Sequence, residues 1–283
     1  MNSVYKHRKI IKKVLAYLLI SIGAVIMLFP FLWMVSTSLK PNAEIFALPP
    51  KLLPETIQWE NYTDLWSEEG RNIDFFRLGW NTFKIAFTVS LGQVVTSSLA
   101  GYAFAKMRFP GRDKIFFVYF ASIIVPAGVV IVPNFILMRY LGLVGKHIGI
   151  ILPALTSAYA TFLMRQFFLA FPPELEDASK IDGCNPLQFY WYVLLPNAKP
   201  ILATQFLLTF QWAWNDFLWP LIMLRKEEVR TLQVGLSYLS QQYFTDWGPL
   251  MAASVITLIP IVVLFLLTQR FFIRSIRLSG IKG

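Results

Sequence analysis

The feature that most constrains this chain is a set of long stretches with no charged residue. Val14 to Val35 is 22 residues without a charge. As a helix it would extend ~33 Å, the thickness of a bilayer's hydrocarbon core. Further apolar runs cover 85–105, 115–138, 148–166, 201–224 and 247–269, of which 148–166 carries Arg165 near its end and 201–224 is interrupted only by Asp216. The chain therefore reads as all-α, a polytopic membrane protein of six transmembrane helices, the first over 14–35. Residues 14–272 would form the membrane domain, with 1–13 and 273–283 as flanking tails. Composition agrees, at 56% hydrophobic and only 15% charged, where soluble domains carry about 25%.

The basic residues before Val14 fit the leading segment of a signal peptide. The run behind them is too long for one and no small-x-small cleavage site follows, so it reads as a retained anchor. Lys and Arg fall unevenly between the runs. Sixteen lie at the N-terminus, after the second run, at the end of the fourth and beyond it, and at the C-terminus; ten lie in the other loops. The richer side is expected to be cytoplasmic, placing both termini inside. The loop after the first helix carries seven acids and reads as long, polar and folded. Pro126, Pro133, Pro153, Pro220 and Pro260 fall within the spans, where proline removes a backbone donor and kinks a helix. Ser97, Ser98, Ala100 and Gly101 permit close helix packing.

Other chemistries find no support. The net charge of +10 comes from basic residues lying between apolar runs, not from one polar face, so nucleic-acid binding is not indicated. One cysteine, Cys184, excludes an internal disulfide, and His7 and His147 lack metal-ligand spacing. No Ser/His/Asp or metal constellation suggests an enzyme, so no catalytic residue is assigned. A secondary transporter would need ion-coupling carboxylates within the spans, where Asp216 stands alone.

The stretch between the fourth and fifth runs, 167–199, is the most structured in its punctuation. Pro172 and Pro173 suit a helix's first turn, and Glu174, Glu176 and Asp177 put negative charge at its positive end. Gly183 fits the left-handed stop, and Asn185 with Pro186 opens a second helix. Two short helices around a sharp glycine turn suit an element that must transmit force. This stretch resembles the EAA loop of binding-protein-dependent ABC importer permeases, whose pattern is Glu-Ala-Ala, three residues, Gly, then an apolar segment closing in Leu-Pro. The matching positions are Asp177-Ala178-Ser179, Gly183 and Leu195-Pro196, with Asp in place of Glu and Ser in place of the second Ala. Phe29–Trp33, Ser98–Ala105, Phe109–Asp113, Trp214–Pro220 and Ser279–Gly283 extend the resemblance to carbohydrate-uptake permeases of the type I importer fold, notably the smaller permease of maltose-type systems.

The resemblance implies a heterodimeric permease, an ABC ATPase dimer that docks on the loop, and an extracytoplasmic sugar-binding protein. It marks Glu174, Glu176, Asp177, Ala178, Asp182, Gly183 and Pro196 as the ATPase-coupling loop. No P-loop is present: at Gly145-Lys146 the next residue is His147, and Tyr140 stands where the first glycine belongs. No cofactor is expected in this chain; ATP and Mg would belong to the partner ATPase. Gln211, Trp212, Trp214, Asn215, Asp216 and Trp219 are candidates for the translocation path, with an interfacial aromatic belt as the equal alternative. Tyr238, Gln241, Gln242 and Tyr243 are candidates for contact with the binding protein. The sugar is not identified by the sequence, and a non-sugar solute such as a glycerol phosphodiester fits the same architecture.

Overall fold

A computed structural model of the chain describes residues 2–66, 74–241 and 246–279, all of its regular structure helical. The helices are α1 Asn2–Ser38, α2 Asn42–Ile45, α3 Glu60–Thr63, α4 Phe75–Lys106, α5 Arg112–Ala121, α6 Ala127–Tyr140, α7 Ile148–Ala154, α8 Ala158–Leu169, α9 Pro173–Ile181, α10 Pro186–Gln188, α11 Leu195–Asn197, α12 Lys199–Trp214, α13 Leu218–Met223, α14 Leu232–Gln241 and α15 Trp247–Ser279. Three of them are long and apolar enough to cross a membrane: α1 from Ile10, α4, and α15 to Phe271. Two bent pairs, Arg112–Ile124 with α6 and α7 with α8, raise the number to five if each pair is one span.

The chain divides into two compact units. In the first, Met1–Asp74 with Leu236–Leu258, the segment after α1 folds back on the helix end. Lys40 is buried at 2% exposure; its Nζ donates to the Lys51 carbonyl (2.5 Å) and sits 4.9 Å over the Trp33 ring. Asn61 donates to the carbonyls of Ser38 and Lys40, both at 3.0 Å. A buried ammonium is tolerable only with such partners. The acid-rich loop expected to be folded is folded over its described residues up to 66, and residues 67–73 lie outside the described residues.

The second unit, Phe75–Gly235 with Ile259–Gly283, is organised by α4, which packs against α8 and α12. Leu78, Ile85, Val89, Gln93, Ser97, Gly101 and Ala105 recur at helical spacing along its buried stripe. At Gly101 a methyl group would stand 2.6 Å from Met164 Cβ and 3.0 Å from the Arg165 nitrogen, so α4 and α8 touch here because the side chain is missing. Rings of Phe83, Phe87, Phe206, Phe210 and Trp214 follow one another at 5.5–6.2 Å along the α4–α12 seam.

The structure moves several expected boundaries. The second span begins ten residues early, at Phe75, because Arg77 and Lys84 lie exposed on the helix and do not end it. The third is bent by 101°. Its cause is Pro126, which holds Val125 extended (ψ 116°) and starts α6 anew. The fourth bends by 41° after α7. The stretch 201–224 is divided between α12 and α13, separated by Asn215, Asp216 and Phe217. Pro260 lies within the continuous α15.

Candidate functional site

The loop joining α8 to α12 is held at one face and bare at the other. Its start follows from Pro173 at the first helical position of α9, with Glu174 and Glu176 in the first turn. Its turn follows from Gly183, at φ 79°, whose N–H donates to the Lys180 carbonyl while that of Cys184 donates to Ser179. Asn185 then opens α10 with a reciprocal capping box to Gln188, both bonds 2.9 Å. Phe189–Leu194 continues as a π-helical turn.

That turn carries the anchoring. Phe189, Tyr190 and Leu194 enter a cluster with Tyr102, Ala105, Met164, Phe168, Phe171 and Ala198. Three α4 side chains one turn apart reach three parts of the loop. Ser98 shares a hydrogen bond with the Tyr190 hydroxyl (2.8 Å), the Tyr102 hydroxyl donates to the Pro186 carbonyl (2.7 Å), and Lys106 pairs with Glu176 (3.1 Å). Glu176 also pairs with Lys180 at 3.0 Å. Burial pushes the Glu176 carboxyl up, but the Lys180 and Lys106 ammoniums more than offset it and hold the group below the usual glutamate range. Nearby, Arg165 lies 4.2 Å over the Phe116 ring and reaches Asp113 (3.2 Å), which also pairs with Arg112 (3.1 Å).

The opposite face is bare. Glu174, Asp177, Ala178, Asp182, Gly183 and Pro196 are all exposed. Leu175, Ile181 and Leu187 are exposed with them, Ile181 at 87%. Of the seven residues marked by the sequence, Glu176 alone turns inward. The three α4 contacts were missed, because they join positions 70 to 92 residues apart.

The second candidate region is the divided stretch 199–224. Gln211, Asn215 and Asp216 line one open cleft of about 510 Å3, and Asp216 and Trp219 also line another of about 350 Å3. Trp214 lines neither: it is 3% exposed and stacks on Phe210 at 5.5 Å. Trp212, by contrast, is 58% exposed and borders both clefts. The polar pair has local duties. Asn215 donates to the Gln211 carbonyl (2.8 Å) at the end of α12 and accepts from Gln233 (3.2 Å). Asp216 accepts from the backbone N–H of Trp219, serving one of the orphan donors where α13 restarts. Trp219 donates to the Gly149 carbonyl at 3.3 Å. Tyr238 is exposed near the end of α14. Gln242 and Tyr243, the side chain of Gln241 and the last four residues of the tail lie outside the described residues.

Comparison with known proteins agrees with this architecture. The family model described as the inner membrane component of binding-protein-dependent transport systems matches residues 77–278. The chain is 35% identical to an sn-glycerol-3-phosphate transport system permease protein of Yersinia enterocolitica, over 93% of this chain and 95% of that one. It is 34% identical to the corresponding Escherichia coli permease with the same coverage. A bacterial ABC transporter involved in the import of the acidic polysaccharide alginate contains a chain that superposes with a TM-score of 0.79 at 28% identity, covering 93% of this chain and 96% of that one. The protein thus belongs to the binding-protein-dependent transport system inner membrane component family and is a multi-pass membrane permease subunit of an ABC importer, not an enzyme.

Proposed function

We propose that this permease forms one half of the pathway of an importer for a hydroxylated solute, a sugar or a glycerol phosphate. It does so beside a second, non-identical permease, with six spans and both termini in the cytoplasm. An ABC ATPase dimer supplies ATP and Mg chemistry and docks on α9–α10, and an extracytoplasmic binding protein delivers solute to the segment around Tyr238–Tyr243. The carrying observation is the two-faced loop. Its inner face is fixed by Ser98, Tyr102 and Lys106, while its outer face presents Leu175, Ile181 and Leu187 to a partner. Exposed apolar side chains on a rigidly held helix suit docking. We take Asn215 and Asp216, which border a cleft beside the α12–α13 break, to face the solute's route.

Affinity-tagging the chain at its native locus and identifying what co-purifies tests the reading. One ATPase and a second permease are expected. Gly183→Trp should lose the ATPase and keep the permease, since a side chain at φ 79° strains the turn that presents α9. Recovery of the chain alone would refute the assembly.

A further inference from the structure

A separate cavity of about 460 Å3 lies where α4, the break after α7 and α12 meet. Its polar wall is a closed relay. Gln93 donates to the Ala154 carbonyl at 2.9 Å, one that the break frees from helical bonding. With its nitrogen so committed, Gln93 turns its oxygen toward α12, where it accepts from Gln205 (3.1 Å) and from Thr209 (2.7 Å). Gln205 also donates to Thr209 at 2.9 Å, which uses both hydrogens of its amide. The carbonyl at the helix break therefore fixes both amide orientations. Gln205 Oε1 remains, buried and without a hydrogen-bond partner, on a residue 3% exposed.

Such a group is costly inside a membrane domain. The orphan is an acceptor, so it takes a donor. Ionised phosphate and carboxylate oxygens only accept, and among the described residues no charged side chain lines the cavity. Trp212 and Tyr159, both more than half exposed, border the same space and offer ring surface to C–H groups.

We infer that this cavity is a subsite for a neutral hydroxyl group of the transported solute, with Gln205 Oε1 accepting from that hydroxyl. The inference rests on the importer reading and adds to it a chemical selectivity: this permease reads hydroxyls, and any anionic group of the solute is held elsewhere.

The test uses the assembled complex in vesicles. Cys184→Ser removes the chain's one thiol, and Gln205→Cys or, separately, Thr209→Cys or Tyr159→Cys introduces one at the cavity. A membrane-impermeant cationic methanethiosulfonate is applied with the ATPase free and with it arrested by vanadate. The probes are maltose, glycerol 3-phosphate and inorganic phosphate. The expected result is labelling in at least one state, slowed roughly tenfold by maltose or glycerol 3-phosphate supplied at about ten times its dissociation constant, since protection scales as one plus that ratio, but not by inorganic phosphate. Thiols inert in both states at all three positions would overturn the inference, as would labelling that no probe slows or that inorganic phosphate slows equally. If Gln205→Cys does not assemble, the other two positions give the same readout. Failure of the importer reading would show separately, as loss of the ATPase from the unmutated complex.

Discussion

The loop after α8 and the break between α12 and α13 use similar residues in opposite ways. In the loop, the aromatic side chains Phe189 and Tyr190 are buried anchors and the carboxylates Asp177 and Asp182 are exposed. At the break, Trp212 is exposed beside a cleft, while Asp216 is half-buried and accepts from the backbone N–H of Trp219. Residue type therefore does not tell an anchor from a contact surface. Which face the neighbouring helix covers decides it, and in both regions that neighbour is α4 or the helices it holds.

Four experiments would sharpen or break this contrast. Ile181→Glu places a charge on the bare face and should cut ATPase co-purification by an order of magnitude or more, since a hot-spot contact is worth at least about 2 kcal/mol. Unchanged recovery would mean that the bare face is not the docking face. At the break, Asp216→Leu should depress ATP-dependent solute uptake roughly tenfold through loss of the cap, whereas Asp216→Asn, which still accepts from Trp219, should keep most of it. Equal loss in both variants would assign the charge itself a role. Tyr190→Phe removes the partner of Ser98 inside the cluster and should lower the complex's melting temperature by a few degrees, for about 1 kcal/mol. No change would make the Ser98 contact incidental.

The smallest effect is set by pH. The Glu176 carboxyl is held below its ordinary value, so its pairing contributes stability above the unfolded pKa of about 4.3, and that contribution fades as pH falls through the lower folded value. The melting-temperature difference between the wild-type complex and Glu176→Gln should be constant from neutrality to about pH 5 and shrink below it. A difference that shrinks already near neutrality would contradict the pairing with Lys106.

What could be read from the sequence follows the range of the interactions. The start of α9 at Pro173, the glycine stop at Gly183 and the Asn185 cap are decided within four residues, so they were visible. The family resemblance rests on the same local pattern. The extension of α4 back to Phe75 was hidden because Arg77 and Lys84 look like loop residues until one face of the helix is known to be exposed. Gln93, Gln205 and Thr209 drew no attention, since single neutral polar residues are unremarkable within apolar runs. Only their meeting across α4 and α12 gives them meaning. Trp214 was grouped with its exposed neighbours because one turn of sequence does not show which side of a helix is the seam.

One further consequence lies in the two ends of α4. Near its start, Asn81 donates to the carbonyls of Glu228 and Arg230 (2.8 and 3.1 Å), and the Thr82 hydroxyl accepts from the Leu232 N–H (2.7 Å). Near its finish, Lys106 holds Glu176. About 38 Å of unbroken helix separates Asn81 from Lys106 at 1.5 Å per residue. A rod gripped at both tips behaves as a seesaw: a pivot anywhere along it sends the tips in opposite directions. A tilt of only ten degrees about its middle would displace each tip by about 3 Å, carrying the 228–232 segment one way as the loop after α8 goes the other.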